Sequence, residues 1–186
     1  MLSKYSWPSL KPEEKRRLVL EGAGILFARE GVDFPMPSLA QELGVGIGTI
    51  YRQMGSKDDI LAALVIERLG IFQAKYEALR DENDAFNALA AAVDYTVDQI
   101  LIDQIATLSF DLALDRPDVA ERRAQAAAVL QGLIEAAKAT GELREDADVM
   151  DLRMVFRAAR TAELLAPGGG RRLVALTFSG LRNHPA

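Results

Sequence analysis

The residues best suited to chemistry lie close together: Thr49, Tyr51, Arg52 and Gln53, with Lys57 a few positions on. They are hydrogen-bonding and cationic side chains rather than a nucleophile with a base, so they suit recognition more than bond-making. Tyr51 can offer its hydroxyl to a phosphate oxygen, and Thr49 can meet a phosphate or a thymine methyl. Arg52 carries the fork that matches guanine O6 and N7, and Gln53 the amide that matches adenine. Pairs of this kind discriminate between bases by about 1–3 kcal/mol each. Gly48 has no side chain, which lets a nucleic-acid backbone approach closely.

The surrounding pattern supplies the elements that would position these groups. Leu39, Ala40 and Leu43 recur at helical spacing. Gly44 stands where that helix would stop, because glycine enters the left-handed backbone region cheaply. Val45 is expected in the core between two helices, with Gly46 as the next N-cap. Ile50 and Met54, four apart, should face inward, which leaves Ile47, Gly48, Thr49, Tyr51, Arg52 and Gln53 on the outer and N-terminal surface. Ser56 then reads as an N-cap with Asp59 at the N3 position of a capping box. Lys57 adds a full charge at that helix start, where free N–H groups and the dipole already favour a phosphate. Two short helices, a tight turn and a third helix start are the parts of a helix-turn-helix plug for the DNA major groove.

These residues also resemble a known family. The run Gly44-Val45-Gly46-Ile47-Gly48-Thr49-Ile50-Tyr51-Arg52, followed by Ser56-Lys57 and Ile60-Leu61, is similar to the DNA-binding domain of TetR-type bacterial transcriptional regulators. Arg17, Val19, Leu20, Ala23, Leu26, Phe27 and Gly31 match the first-helix pattern of that family. The resemblance implies that Ile47, Gly48, Thr49, Tyr51, Arg52 and Gln53 lie on the recognition helix. It implies that Tyr51 and Lys57 bind phosphate and that Ser38 lies near the start of the supporting helix. Phe34-Pro35-Met36-Pro37 departs from it, standing where the family usually caps its second helix with Thr or Ser. Met54-Gly55 likewise replaces the usual aromatic and its follower.

Net charge bears on this expectation through its distribution. The chain carries -5 overall, yet its first 57 residues hold eight basic and six acidic groups, +2, leaving -7 for the rest. That asymmetry turns the N-terminal end toward a polyanion. Cysteine is absent, which excludes disulfides and thiolate metal sites and suits a reducing cytoplasm. Met1 to Pro12 has no apolar core of signal-peptide length, and no apolar run is long enough for a membrane span.

The remainder reads as helix throughout, since alternating β-branched residues never persist. A long helix is expected from Lys57 to about Arg80. A polar break follows at Asp81-Glu82-Asn83-Asp84, then a stripe of Phe86, Leu89, Ala90, Val93, Val97 and Ile100 that continues from Leu101 to Asp115 through Ile105, Leu108, Phe110, Leu112 and Leu114. Further helices are expected over Asp118 to Thr140, Asp148 to Ala166 and Arg171 to Arg182, the last two split by Pro167-Gly168-Gly169-Gly170. The fold class is all-α, about nine helices: a three-helix helix-turn-helix domain over residues 1–57 and a larger helical effector-binding and dimerisation domain over residues 58–186.

The resemblance implies two uses for the apolar faces of that larger domain. One is a pocket for a small-molecule effector, with Phe86, Leu89, Val93, Tyr95, Thr96, Phe110, Leu130, Leu133 and Met154 as candidates. The other is a four-helix homodimer interface using Leu152, Val155, Phe156, Ala159, Leu173, Leu176 and Gly180. Arg153, Arg157 and Arg160 share a helix face, and one of them could hold an anionic effector. His184, the single histidine, lies near the C-terminus and has no expected metal or catalytic role. No catalytic residue, cofactor or metal site is expected. The implied protein is a bacterial, cytoplasmic and nucleoid-associated repressor, binding a double-stranded palindromic operator as a homodimer, with no membrane partner. A small-molecule or lipid-binding helical protein of the same fold, without DNA binding, is the alternative.

Overall fold

Helix-forming runs separated by short turns make up most of the described residues. The computed structural model describes residues 7–82, 84–110 and 116–183. Among them, a 3-10 turn (Trp7–Ser9) precedes α1 (Pro12–Glu30), α2 (Met36–Leu43), α3 (Ile47–Met54), α4 (Lys57–Glu82), α5 (Ala85–Ile102), α6 (Gln104–Ser109), α7 (Pro117–Ala139), α8 (Val149–Leu165) and α9 (Gly169–Leu181). One isolated antiparallel bridge joins Leu143 to Arg182. The chain divides into two compact units, Met1–Val65 and Ile66–Ala186, so the division falls within α4.

In the smaller unit the apolar stripes named by spacing meet in one core. Val19, Ala23, Leu26 and Phe27 of α1 are buried with Leu39 and Leu43 of α2 and Ile50 of α3, and Phe34 joins them from the preceding loop. α1 starts at Pro12, whose missing N–H costs nothing there. The Glu14 carboxylate accepts the Lys11 N–H at 2.8 Å. α2 begins after Pro35 with no side-chain cap, as the Phe34-Pro35-Met36-Pro37 departure implies.

In the larger unit Phe72, Tyr76, Leu89, Val93, Ile100, Leu133 and Phe156 belong to a single apolar core. The expected Leu101–Asp115 continuation is interrupted. Asp103 takes an extended backbone (φ -128°, ψ 115°), closes α5 and caps α6 by accepting the Ile105 N–H at 2.8 Å. An aspartate that can satisfy a free helix N–H outcompetes one more helical turn. Leu112, Leu114, Asn83 and His184 lie outside the described residues.

α9 also starts earlier than expected, at Gly169 rather than Arg171. A Cβ at Gly169 would overlap the Ala162 carbonyl oxygen, and one at Gly170 would lie 2.7 Å from the Ala159 carbonyl oxygen. The glycines therefore serve close approach of two helices as well as the turn. Glu163 fastens that turn by accepting the N–H groups of Gly168 (2.9 Å) and Gly170 (3.1 Å), which holds its carboxyl below the usual range.

Candidate nucleic-acid interface

α2 and α3 are joined by the turn that glycine chemistry dictates. Gly44 sits in the left-handed region (φ 65°, ψ 31°), and the Val45 N–H returns to the Ala40 carbonyl at 3.0 Å. A left-handed residue at this position reverses the chain at the lowest steric cost. Gly46 then precedes α3 as its N-cap residue, with extended backbone and no side chain over the helix end.

α3 has one inner and one outer face. Ile50 and Met54 are buried, while Ile47 is 39% exposed and Tyr51 48% exposed. Gly48 and Arg52 are exposed beside them, and Thr49 is half-buried. The Arg52 guanidinium folds back along the helix. Its Nη2 lies 3.3 Å from Thr49 Oγ1, and a Cβ on Gly48 would lie 3.6 Å from its Nη1. Gln53 is placed differently from the rest of the set: it is half-buried, and its amide donates to the Pro12 carbonyl at 3.2 Å.

The start of α4 is built as the spacing implies. The Ser56 N–H (2.8 Å) and hydroxyl (2.7 Å) both donate to Asp59 Oδ2, and the Asp59 N–H donates to Ser56 Oγ at 3.2 Å. Lys57 is half-buried, with Nζ 3.4 Å from the Phe34 carbonyl oxygen and 5.4 Å from the centre of its ring. A buried phenylalanine thus steadies the ammonium from behind, a contact that no local spacing reveals. Ser38 is half-buried in the first turn of α2, its N–H bonded to the Pro35 carbonyl at 2.9 Å. Arg16 was not singled out by sequence, yet its Nη1 lies 3.8 Å from Met54 Sδ at the end of α3. The Lys15-Arg16-Arg17 run was the available signal.

The larger unit contains a cleft of about 340 Å³, counting its open mouth, among α4, α7 and α8. Phe110 and Leu130 line it, as do Leu69, Phe72, Tyr76 and Arg153. The other expected pocket residues are elsewhere. Phe86, Leu89, Val93 and Leu133 are packed in the core, and Tyr95 packs against it. Thr96 is buried and bonded to Tyr76 and Ala92, and Met154 is 57% exposed.

The expected interface residues are similarly divided. Leu152, Phe156 and Ala159 are buried within this unit, Val155 and Leu173 are half-buried, and Leu176 and Gly180 are exposed. The outer face of α8 and α9 shows Met150, Met154, Leu164, Leu165 and Leu176, with Leu165 at 84% and Leu176 at 63% exposure. Arg160 of α8 donates to the Ile100 (3.3 Å) and Leu101 (3.4 Å) carbonyls at the end of α5, and Arg171 pairs with Asp98 at 2.6 Å. Among the described residues no three His, Cys, Asp or Glu side chains gather as a metal site would need, and no helix is long and apolar enough to cross a membrane.

Comparison with known proteins adds to this geometry. Residues 19–64 match the family described as bacterial regulatory proteins, tetR family, and residues 86–183 match the C-terminal domain of SbtR-like transcriptional regulators. An HTH-type transcriptional regulator of Staphylococcus aureus is 33% identical over 98 residues, 52% of each chain. The chain therefore spans about half the length of the curated relatives it matches. The crystal structure of a TetR transcriptional regulator from Streptomyces coelicolor superposes with a TM-score of 0.65 at 24% identity, covering 91% of this chain and 99% of that one. A TetR transcription regulatory protein from Mycobacterium vanbaalenii gives 0.64 at 26%, covering 92% and 97%. FadR from Bacillus subtilis, solved in complex with stearoyl-CoA, gives 0.68 at 21%, covering 89% and 98%.

Proposed function

The chain belongs to the TetR family of bacterial regulatory proteins and is a transcriptional regulator with a helix-turn-helix DNA-binding domain, and on that footing we propose that it is a ligand-responsive repressor acting on a palindromic operator as a homodimer. The observation that carries the DNA side is the outer face of α3. Ile47, Gly48, Tyr51 and Arg52 present one exposed apolar, one bare, one phenolic and one cationic position beside a capped α4 start that bears Lys57. Tyr51 and Lys57 take phosphates, and Arg52 leaves Thr49 to reach a base edge in the major groove. Ser38 adds a contact from the start of α2. Gln53 contributes to positioning through Pro12 and reads a base only if that bond opens.

Two recognition helices must lie about 34–36 Å apart to enter successive major grooves, so the reading needs a second copy. The exposed apolar face of α8 and α9 supports that dimer. Met154, Leu165, Leu176 and Gly180 form its surface, while Leu152, Phe156 and Ala159 brace it from within. The cleft in the larger unit supports the effector. α4 contributes residues to both units, so a ligand that biases it disfavours operator binding, typically by about 1–3 kcal/mol of coupling.

Gel shifts of the purified chain against the upstream region of its own operon, followed by genome-wide mapping of bound sites, test the DNA half. The expected result is a retarded complex on a palindromic fragment that scrambled DNA does not compete. Indifference to every genomic fragment at low salt removes the proposal and leaves a ligand-binding protein of the same fold.

A further inference from the structure

α1 brings a cation to the border of the DNA face. Gln53, in the last turn of α3, donates its amide to the Pro12 carbonyl at 3.2 Å in an exposed position. Arg16 stands one turn further along α1, and its Nη1 lies 3.8 Å from the sulfur of Met54, the next residue of α3. The first turns of α1 therefore run beside the C-terminal end of α3.

Arg16 is exposed, and a thioether is only a weak acceptor, so most of its donor fork faces solvent. Among the described residues no carboxylate pairs with it. Glu14 of the same stretch is already engaged by the Lys11 N–H. An arginine anchored at one nitrogen, with the rest of its fork open, is suited to an anion that accepts two parallel hydrogen bonds.

Groove dimensions indicate which anion. The major groove is about 12 Å wide, and a helix with its side chains is about 10–12 Å across. A helix seated there fills the width, so an element packed along its flank meets the phosphate rim rather than the base edges. Arg16 reaches α3 from such a flank, whereas Arg52 stands on the outer face.

We propose that Arg16 takes a DNA phosphate beside the C-terminal end of α3, with the Gln53–Pro12 bond holding α1 at the depth this contact needs. The inference rests on the reading of α3 as the recognition helix and adds α1 to the DNA-binding surface.

Non-specific affinity counts phosphate contacts without knowledge of the operator. The measurement is fluorescence anisotropy of the full chain on a duplex of arbitrary sequence over a salt series. Arg16→Met removes the charge and keeps an unbranched side chain. It should weaken binding about tenfold at low salt, as expected for a charged hydrogen bond. The slope of log affinity against log salt should flatten by about 0.9, the release of one counterion site. Arg16→Gln should flatten it equally. Arg17→Met makes the same charge change at an exposed neighbour with no bond to α3 among the described residues, and it should flatten the slope far less. Circular dichroism melting reports the fold of each variant. An arginine that only braces α3 would lower the melting temperature or the affinity and leave the slope unchanged. An unchanged slope in both Arg16 variants, or an equal loss of slope in Arg17→Met, overturns the proposal. The two readings fail separately. If Lys57→Ala flattens the slope and Arg16→Met does not, this contact fails and the reading of α3 stands. If the wild-type chain ignores the duplex at low salt, the reading of α3 fails and this contact with it.

Discussion

The phenolic oxygen of Tyr76 lies 2.6 Å from Thr96 Oγ1, with both side chains buried. Thr96 spends its one hydroxyl proton on the Ala92 carbonyl at 2.7 Å, so Tyr76 is the donor of the pair. An ionised Tyr76 would lose that bond and carry a charge in an apolar core. Burial accordingly pushes the phenol well above its ordinary value.

That relationship gives a pH dependence with a definite sign. Below about pH 10, tyrosine is protonated in both folded and unfolded chains, and the contribution is fully present. Above it the unfolded chain releases a proton that the folded chain keeps, so stability falls by up to about 1.4 kcal/mol per pH unit. Tyr76→Phe should cost about 1 kcal/mol at pH 7 through the lost hydrogen bond. Urea unfolding of both proteins between pH 8 and 11 should show the stability gap narrowing above pH 10. A constant gap would mean that Tyr76 does not resist ionisation.

At the DNA face, Arg52→Ala and Lys57→Ala should differ in kind. Losing Arg52 should cost about 1–3 kcal/mol on the preferred operator and relax the preference at one base pair. Losing Lys57 should weaken all sequences alike and lower the salt slope by about one. Fluorescence anisotropy on cognate and scrambled duplexes over a salt series separates the two. Equal losses on both duplexes for Arg52→Ala would reduce Arg52 to a phosphate contact.

The junction before α4 should be sensitive to a single methyl group. Gly55 has φ 82°, and a Cβ there would lie 2.5 Å from Asp59 Oδ2, the oxygen that caps Ser56. Asp59→Ala should destabilise by about 1 kcal/mol, the usual worth of such a cap. Gly55→Ala should cost more, because it adds backbone strain to the displaced cap. Thermal unfolding ranks the two, and the reverse order would show that the turn relaxes freely.

Leu176→Asp should yield a folded monomer. The side chain is 63% exposed on α9, so the charge opposes pairing without entering the core. Light scattering should move from twice the 20.3 kDa chain mass to that mass itself, with unchanged far-ultraviolet dichroism. A wild-type chain that already runs as a monomer at micromolar concentration would remove the proposed interface.

Local chemistry decided much of the smaller unit in advance. The left-handed Gly44, Gly46 before α3, the buried Ile50 and Met54 and the Ser56–Asp59 box all depend on residues within four or five positions, and each is found where spacing puts it. Helical periodicity likewise announced the all-α class. Only the tertiary structure decided what each apolar face meets. Val93 and Met154 read alike as pocket candidates, yet one is buried in the core and the other is exposed. Phe34 under Lys57, and a cleft lined together by Phe72, Phe110 and Arg153, are arrangements across many residues. A helical stripe states that a side will be covered. The covering partner is set by packing between distant segments, which periodicity along one segment does not encode.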